Sequence, residues 1–336
     1  MKKVLVTGGA GYIGSHTVVE LFNSGFMPVI VDNFSNSDER VLQGLEAILG
    51  FKPVLHTCDC IDYEALKQVF SQEKPDAVIH FAAFKAVGES TQQPIRYYRN
   101  NIDSLLILLE LMNEFQVRDL VFSSSCTVYG QPDELPVSEN SPQKTATSPY
   151  GYSKQVGERI LSDACLARPE LRCTLLRYFN PIGAHPSGLI GELPFGIPNN
   201  LVPYIAQTAA GIREKLIIHG NDYQTPDGTC IRDYIHVCDL ALAHVRALEW
   251  LDGQSQACET FNLGQGQGNS VKEVIDTFVR VNNVPVHVEI GPRRPGDVEQ
   301  VWADAAKALQ ILNWKTERSL ADGLQDAWRW QQHLGK

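Results

Sequence analysis

Tyr150 and Lys154 stand four residues apart in the stretch SPYGYSK, residues 148–154. Ser148 is a good helix N-cap and Pro149 a good first helical residue, which predicts a helix with Tyr150 in its first turn. Residues i and i+4 share a helix face, so Tyr150 and Lys154 point the same way and Tyr152 points elsewhere. A tyrosine with its ordinary pKa of about 10 is only about 0.1% ionised at pH 7; service as a base asks for a drop of roughly three units, about 4 kcal/mol. A lysine ammonium about 4 Å away, at an effective dielectric near 20, supplies energy of that order, and a helix amino terminus adds to it. The competing reading is a tyrosine packed on its helix beside a surface lysine, because YxxxK arises often by chance.

Two further groups of residues could complete such a site. LVFSSSCTVYG leaves Ser123, Ser124 and Ser125 at the end of an apolar run, and strand alternation puts Ser123 and Ser125 on one face. A hydroxyl there can donate to a substrate oxygen or relay a proton to Tyr150; Ser125 lies furthest into the site, and a polar strand-end turn is the alternative. VLVTGGAGYIGSHTVVELFNSG reads as strand, glycine turn and amphipathic helix, with Gly8, Gly11 and Gly14 spaced GxxGxxG. Glycines there permit the turn, admit a pyrophosphate to the main chain and let helix and strand pack closely, while the helix amino terminus attracts the anion. Asp32 ends the next strand, eighteen residues after Gly14, where a carboxylate accepts both ribose hydroxyls and repels a 2′-phosphate. NAD is therefore expected over NADP. Asp59 and Cys60 close a third strand, where adenine contacts belong, though an Asx turn explains Asp59 nearly as well. Lys85, after a fourth strand, can reach cofactor or substrate oxygens or simply be solvated; Arg40 reads as a solvated face residue.

The elements that must position these residues alternate along the first half of the chain. Short β-branched runs (KVLVT, PVIVD, PVLHTCD, DAVIHF, DLVFSSS, CTLLRYF) separate longer helical segments. This is the form of stacked βαβ units: an α/β, doubly wound parallel sheet, Rossmann-like, with ligands at the strands' carboxyl ends. After RYFNPIGAHPSG the rhythm breaks into Gly/Pro-rich text, so a smaller mixed α/β C-terminal substrate domain is expected over 181–336, following a dinucleotide-binding domain over 1–180. The run YIHVCDLALAHVRALEWL and then ETFNLG suggests that a segment near 236–264 returns to the sheet. NNIDSLLILLELMNEF is apolar on almost every face and must be covered on two sides, by the sheet and by a partner subunit or by full burial within one.

The chain has 336 residues, 43% of them apolar and 20% charged, enough for a sizeable core and ordinary for a soluble globular protein. A net charge of −10 argues against a nucleic-acid surface. The opening MKKVLVTGG has too short an apolar run for a signal or spanning segment, so a cytoplasmic location without membrane attachment is the expectation. Eight scattered cysteines show no metal spacing and read as reduced thiols; His80 in AVIHFAA reads as a hydrogen-bonded strand residue, and no metal is expected.

Together TGGAGYIG, SSSCTVYG and SPYGYSK resemble the extended short-chain dehydrogenase/reductase family, and within it the UDP-glucose 4-epimerases. The similarity continues through DNFSNS, FAAFKAVGES, YYRNN, RYFNPIGAH, IPNNLVPYI, DGTCIRDYIHV and RRPGD, from Thr7 to about Trp302. The resemblance implies interconversion of UDP-galactose and UDP-glucose by a homodimer with tightly held NAD. In that scheme Tyr150 takes the sugar 4-hydroxyl proton while the C4 hydrogen leaves as hydride, Ser125 assists, Lys154 holds the nicotinamide ribose, and the 4-keto sugar turns over before re-reduction. It also assigns Tyr12, Ile13, Asn33, Asn36, Ser37, Phe81, Ala82, Asn100, Ser123 and Phe179 to the cofactor. To the substrate it assigns Asn180, Asn200, Leu201, Ile217, His219, Arg232, Tyr234, Arg294, Asp297 and Val301, with Lys85 serving both and the arginines holding the diphosphate.

Two positions depart from the family. His219 stands where phenylalanine often lies beside uracil. Val301 is intermediate between the bulky tyrosine that limits the sugar pocket and the small residues that accompany N-acetylated sugars, so weak UDP-N-acetylhexosamine turnover is an expectation. A dehydratase relative needs an Asp-Glu pair after the strand serines, where this chain has Ser124-Ser125-Cys126. A simple reductase and a non-catalytic NAD-binding protein are the remaining rivals.

Overall fold

The structure, a computed structural model, describes residues 1–255, 257–294 and 297–335; Pro295 and Gly296 of RRPGD lie outside the described residues. The six apolar runs form strands β1 (Lys3–Thr7), β2 (Met27–Asp32), β3 (Val54–Thr57), β4 (Ala77–His80), β5 (Asp119–Ser123) and β6 (Arg172–Tyr178). A seventh, β7 (Ala257–Leu263), joins them in one sheet of order 7-6-5-4-1-2-3. Every pairing in it is parallel: Val6, for example, lies opposite Ile30 on β2 and Ile79 on β4.

Alternation along β1 assigns its residues to two cores. Val4 and Val6 pack under helices α1 (Tyr12–Asn23) and α4 (Val237–Asp252), with Val18, Leu21, Leu240 and Leu248. Leu5 packs with Leu66, Leu105, Leu108, Phe122 and Leu161 under the other face, covered by α2 (Ser104–Glu114) and α3 (Pro149–Ala167). Such two-sided burial is why these strands are apolar almost throughout. The order reverses at β1, which has β2 on one side and β4 on the other, placing the switch-point crevice beside the glycine turn.

Helix α2 follows a π-helical turn at Arg99–Asp103, and its sequence is apolar on almost every face. Leu105, Leu108 and Leu111 are buried, but Leu106 is 41% exposed. Full burial within one chain is therefore not what the structure shows.

Beyond β6 lies a second core. Helices Leu201–Ala209, Val271–Asn282 and Leu320–Leu334 enclose it, together with the parallel pair Leu216–His219 and Val288–Gly291. Capping boxes at Ser270/Glu273 and Ser319/Asp322 start the last two helices. Short strands at Ile231–Arg232 and Gln300–Val301 pair in parallel and set Arg232 beside Val301.

Candidate active site

The carboxyl ends of the sheet open into a cavity of about 1340 Å³ that continues into the second core, and every residue singled out above as catalytic, cofactor-binding or substrate-binding lies on its wall. Residues as distant in sequence as Gly8, Tyr150 and Asp297 are thereby brought to one site.

At one end of the cavity the glycine turn is built as its spacing predicts. Gly8 has φ +70°, and an added Cβ there would lie 2.9 Å from Ala82 N; at Gly14 it would lie 2.2 Å from the Gly8 carbonyl oxygen. Gly11 caps α1 without any side-chain hydrogen bond, which leaves first-turn N–H groups for an anion. Asp32 is almost buried. It accepts from Ala10 N at 3.0 Å, Phe34 N at 2.9 Å and the Ser37 hydroxyl at 2.8 Å, which fixes its carboxylate at the end of β2. An uncapped helix start, a cradle that side chains would fill and a fixed carboxylate are what a dinucleotide requires, so these residues fit NAD.

The neighbouring predictions resolve individually. Asp59 accepts from Ile61 N, the Asx turn weighed above, and also from Asn33 Nδ2 at 2.9 Å while lining the cavity. Arg40 pairs with Asp38 on an exposed helix start. His80 is hydrogen-bonded within the sheet, 2.8 Å from the Thr7 hydroxyl, and burial holds its pKa down to about 3. No cluster of three or more metal-binding side chains occurs among the described residues.

Ser148 accepts from Gly151 N at 3.1 Å and Pro149 opens α3, so Tyr150 and Lys154 both point inward while Tyr152 is 51% exposed. Ser123 and Ser125 line the cavity and Ser124 turns away, as alternation requires. The Ser125 hydroxyl accepts from Thr127 Oγ1 at 3.0 Å, leaving its own proton for the cavity.

The electrostatic expectation needs correction. Lys154 Nζ donates to the Ser123 carbonyl at 2.6 Å and lies 6.0 Å from the Tyr150 ring centroid, over the face of Phe122. Burial pulls its pKa down to about 8, opposed by Glu158. Tyr150 is pushed well up, first by burial and then by Tyr178, with Ser125 acting in the opposite direction. Lys154 is not among the groups that offset burial of the phenol, so further positive charge in the cavity would favour the phenolate.

The substrate end shows how its cations are held. Arg232 donates to the Ile231 carbonyl at 2.9 Å and has Asp297 3.9 Å away, a loose pair that keeps the guanidinium at the cavity wall. Lys85 is tied to Glu192 at 3.2 Å, and Asn200 donates to the same carboxylate at 2.6 Å. Half-buried His219 lines the wall beside Ile217. Val301 is buried with Val128, Tyr129 and Phe179.

Sequence reasoning misses three carboxylates and the hydroxyl of Tyr178. Glu192 bridges Lys85, 107 residues earlier, and Asn200, and Glu158 lies one turn beyond Lys154. Asp233, pushed up to about 6 by burial, accepts from Gln265 N, Gly266 N and Ala303 N and so joins the end of β7 to the second core. Only helical spacing from Lys154 could have signalled Glu158. The Tyr178 hydroxyl is hydrogen-bonded to Ser123.

Residues 5–327 match the family described as GDP-mannose 4,6 dehydratase. The UDP-glucose 4-epimerase of Yersinia pestis is 51% identical over 328 residues, covering 98% of this chain and 97% of that one. The chain belongs to the UDP-glucose 4-epimerase family. A second member, from Dictyostelium discoideum, is 50% identical over 98% of this chain and 95% of its own. Among solved structures, the family member from Stenotrophomonas maltophila, with bound NAD and formylated UDP-arabinopyranose, superposes with a TM-score of 0.97 at 47% identity, covering 100% and 99% of the two chains. The member from Bifidobacterium longum, in complex with NAD+ and UDP, gives a TM-score of 0.95 at 46% identity, covering 99% and 98%.

Proposed function

We infer that this chain is an NAD-dependent isomerase that interconverts UDP-galactose and UDP-glucose. The observation that carries the reading is convergence: Ser125, Tyr150 and Lys154 share one cavity with the glycine turn and Asp32, in a chain half identical to UDP-glucose 4-epimerases. Bound NAD supplies a hydride acceptor that is restored in each turnover, and its oxidised ring brings further positive charge to the cavity.

Tyr150 takes the proton of the sugar 4-hydroxyl at its phenolic oxygen and later returns it, with the Ser125 hydroxyl beside both. Lys154, fixed by the Ser123 carbonyl, holds the nicotinamide ribose and favours the phenolate. Arg232 and Arg294 hold the diphosphate, so the 4-keto sugar can turn about that linkage and present its other face. Cys126 follows Ser125, so this strand end lacks the Asp-Glu pair that elimination would use. This argues against the dehydratase reading. The relatives favour unacetylated hexoses over the wider alternative that includes UDP-N-acetylhexosamines.

Residues 1–180, with 236–264, form the NAD-binding part, and the rest of 181–336 holds the UDP-sugar. The eight free thiols suit a reducing cytoplasm; no helix among the described residues is long and apolar enough to cross a membrane. The exposed residues Val87, Ile95, Leu106 and Tyr152 suit a homodimer formed through the α2 and α3 side. Leu106→Arg is expected to shift the protein to monomer in sedimentation, and an unchanged mass would count against this surface.

The deciding assay incubates the purified protein with UDP-galactose and no added NAD. UDP-glucose is the expected product. A 4-keto sugar with NADH as the end product would indicate a reductase, and inactivity of a protein that holds NAD would indicate a non-catalytic one.

A further inference from the structure

One turn beyond Lys154 on α3, Glu158 is 4% exposed, the one buried glutamate among the described residues. Its carboxylate accepts from Arg177 Nε at 2.8 Å and Nη2 at 2.6 Å, from Gln143 Nε2 at 2.6 Å and from the Ser124 hydroxyl at 2.5 Å. Arg177 also donates to the Tyr129 hydroxyl, which donates to Asn262 on β7. Burying an ion pair gains little over an apolar pair of the same volume, so stability alone is a poor reason for it here.

Its place in the fold suggests a better one. Ser124 is the middle residue of the strand-end triplet, and holding its side chain against α3 turns Ser125 and the Ser123 carbonyl toward the cavity. We propose that Glu158 is a positioning residue for the reaction, clamping the serine end of β5 to α3 and supplying a compensating negative charge beside Lys154. This rests on the assignment of Ser125, Tyr150 and Lys154 as the catalytic set. The charged and titratable groups around Lys154 are Tyr150 and Glu158 on its own helix, His80 on β4, and Tyr178 and Arg177 on β6. Glu158 favours the charged ammonium, whereas burial opposes it. Without the carboxylate, Lys154 therefore loses its proton at lower pH.

The test compares kcat and KM across pH for wild-type holoenzyme, E158Q and S124A. Glutamine keeps the shape of Glu158 and loses its charge; alanine removes only the clamp. E158Q should retain NAD and keep KM within about two-fold, lose roughly 10- to 100-fold in kcat, and show an alkaline limb about one pH unit lower. S124A should lose a few-fold in kcat with the limb unmoved. A wild-type profile in E158Q overturns the inference, as does lost kcat with the limb in place. Should E158Q fail to fold, S124A decides, and wild-type kcat in S124A overturns the inference. An inactive wild type would instead sink the catalytic reading beneath it.

Discussion

Tyr150→Phe is expected to lower kcat by about 10³-fold or more, the upper part of the range for a general acid or base, while the protein still copurifies with NAD. The ring stays where α3 puts it, buried beside Ser125, so only the oxygen that carries the proton is lost. Tyr152→Phe, two residues on, removes a hydroxyl from a half-exposed ring that meets Tyr98 edge-on, and kcat should stay within about two-fold of wild type, as for surface changes generally. The comparison is stopped-flow and steady-state turnover of UDP-galactose, with bound NAD measured after denaturation. A more damaging Tyr152→Phe would mean that the wrong tyrosine has been chosen.

Gly14→Ala should act on the cofactor rather than on the chemistry. The new methyl would lie 2.2 Å from the Gly8 carbonyl oxygen and 2.8 Å from Gly9 Cα, all backbone, so the turn itself must move. Overpacking of this kind costs about 1–3 kcal/mol, and the displaced atoms are those that face the pyrophosphate. The expected result is purified protein with little NAD, a Tm lower by several degrees, and partial recovery of activity at high added NAD. Gly253→Ala is the control, because its Cβ would meet only Trp250 O at 3.7 Å. Full NAD occupancy in Gly14→Ala would refute the close-approach role.

The parts of this site that are legible in the sequence are those set by local geometry. Ser148 and Pro149 fix where α3 begins, the i, i+4 spacing fixes which tyrosine faces Lys154, and strand alternation separates Ser124 from its neighbours. The β-branched runs likewise announce the parallel sheet. What escapes sequence reading depends on contacts between distant segments. Glu192 meets Lys85 only once the chain has folded back over the sheet. The direction of the Lys154 ammonium is set by the Ser123 carbonyl, and the state of the Tyr150 phenol by the burial around it. The motif supplies the groups, and burial decides how much charge must be brought to them.

The late arrival of β7 bears on how the chain is made. Until residue 263 has left the ribosome, β6 is an open edge, its Leu175 and Leu176 main-chain groups waiting for Thr260 and Phe261. A fragment stopped at residue 180 would carry the glycine turn, Tyr150 and Lys154, yet offer that edge as a template for other chains. Such a piece should aggregate rather than bind dinucleotide, and nascent chains paused between the two strands are the ones that most need a chaperone.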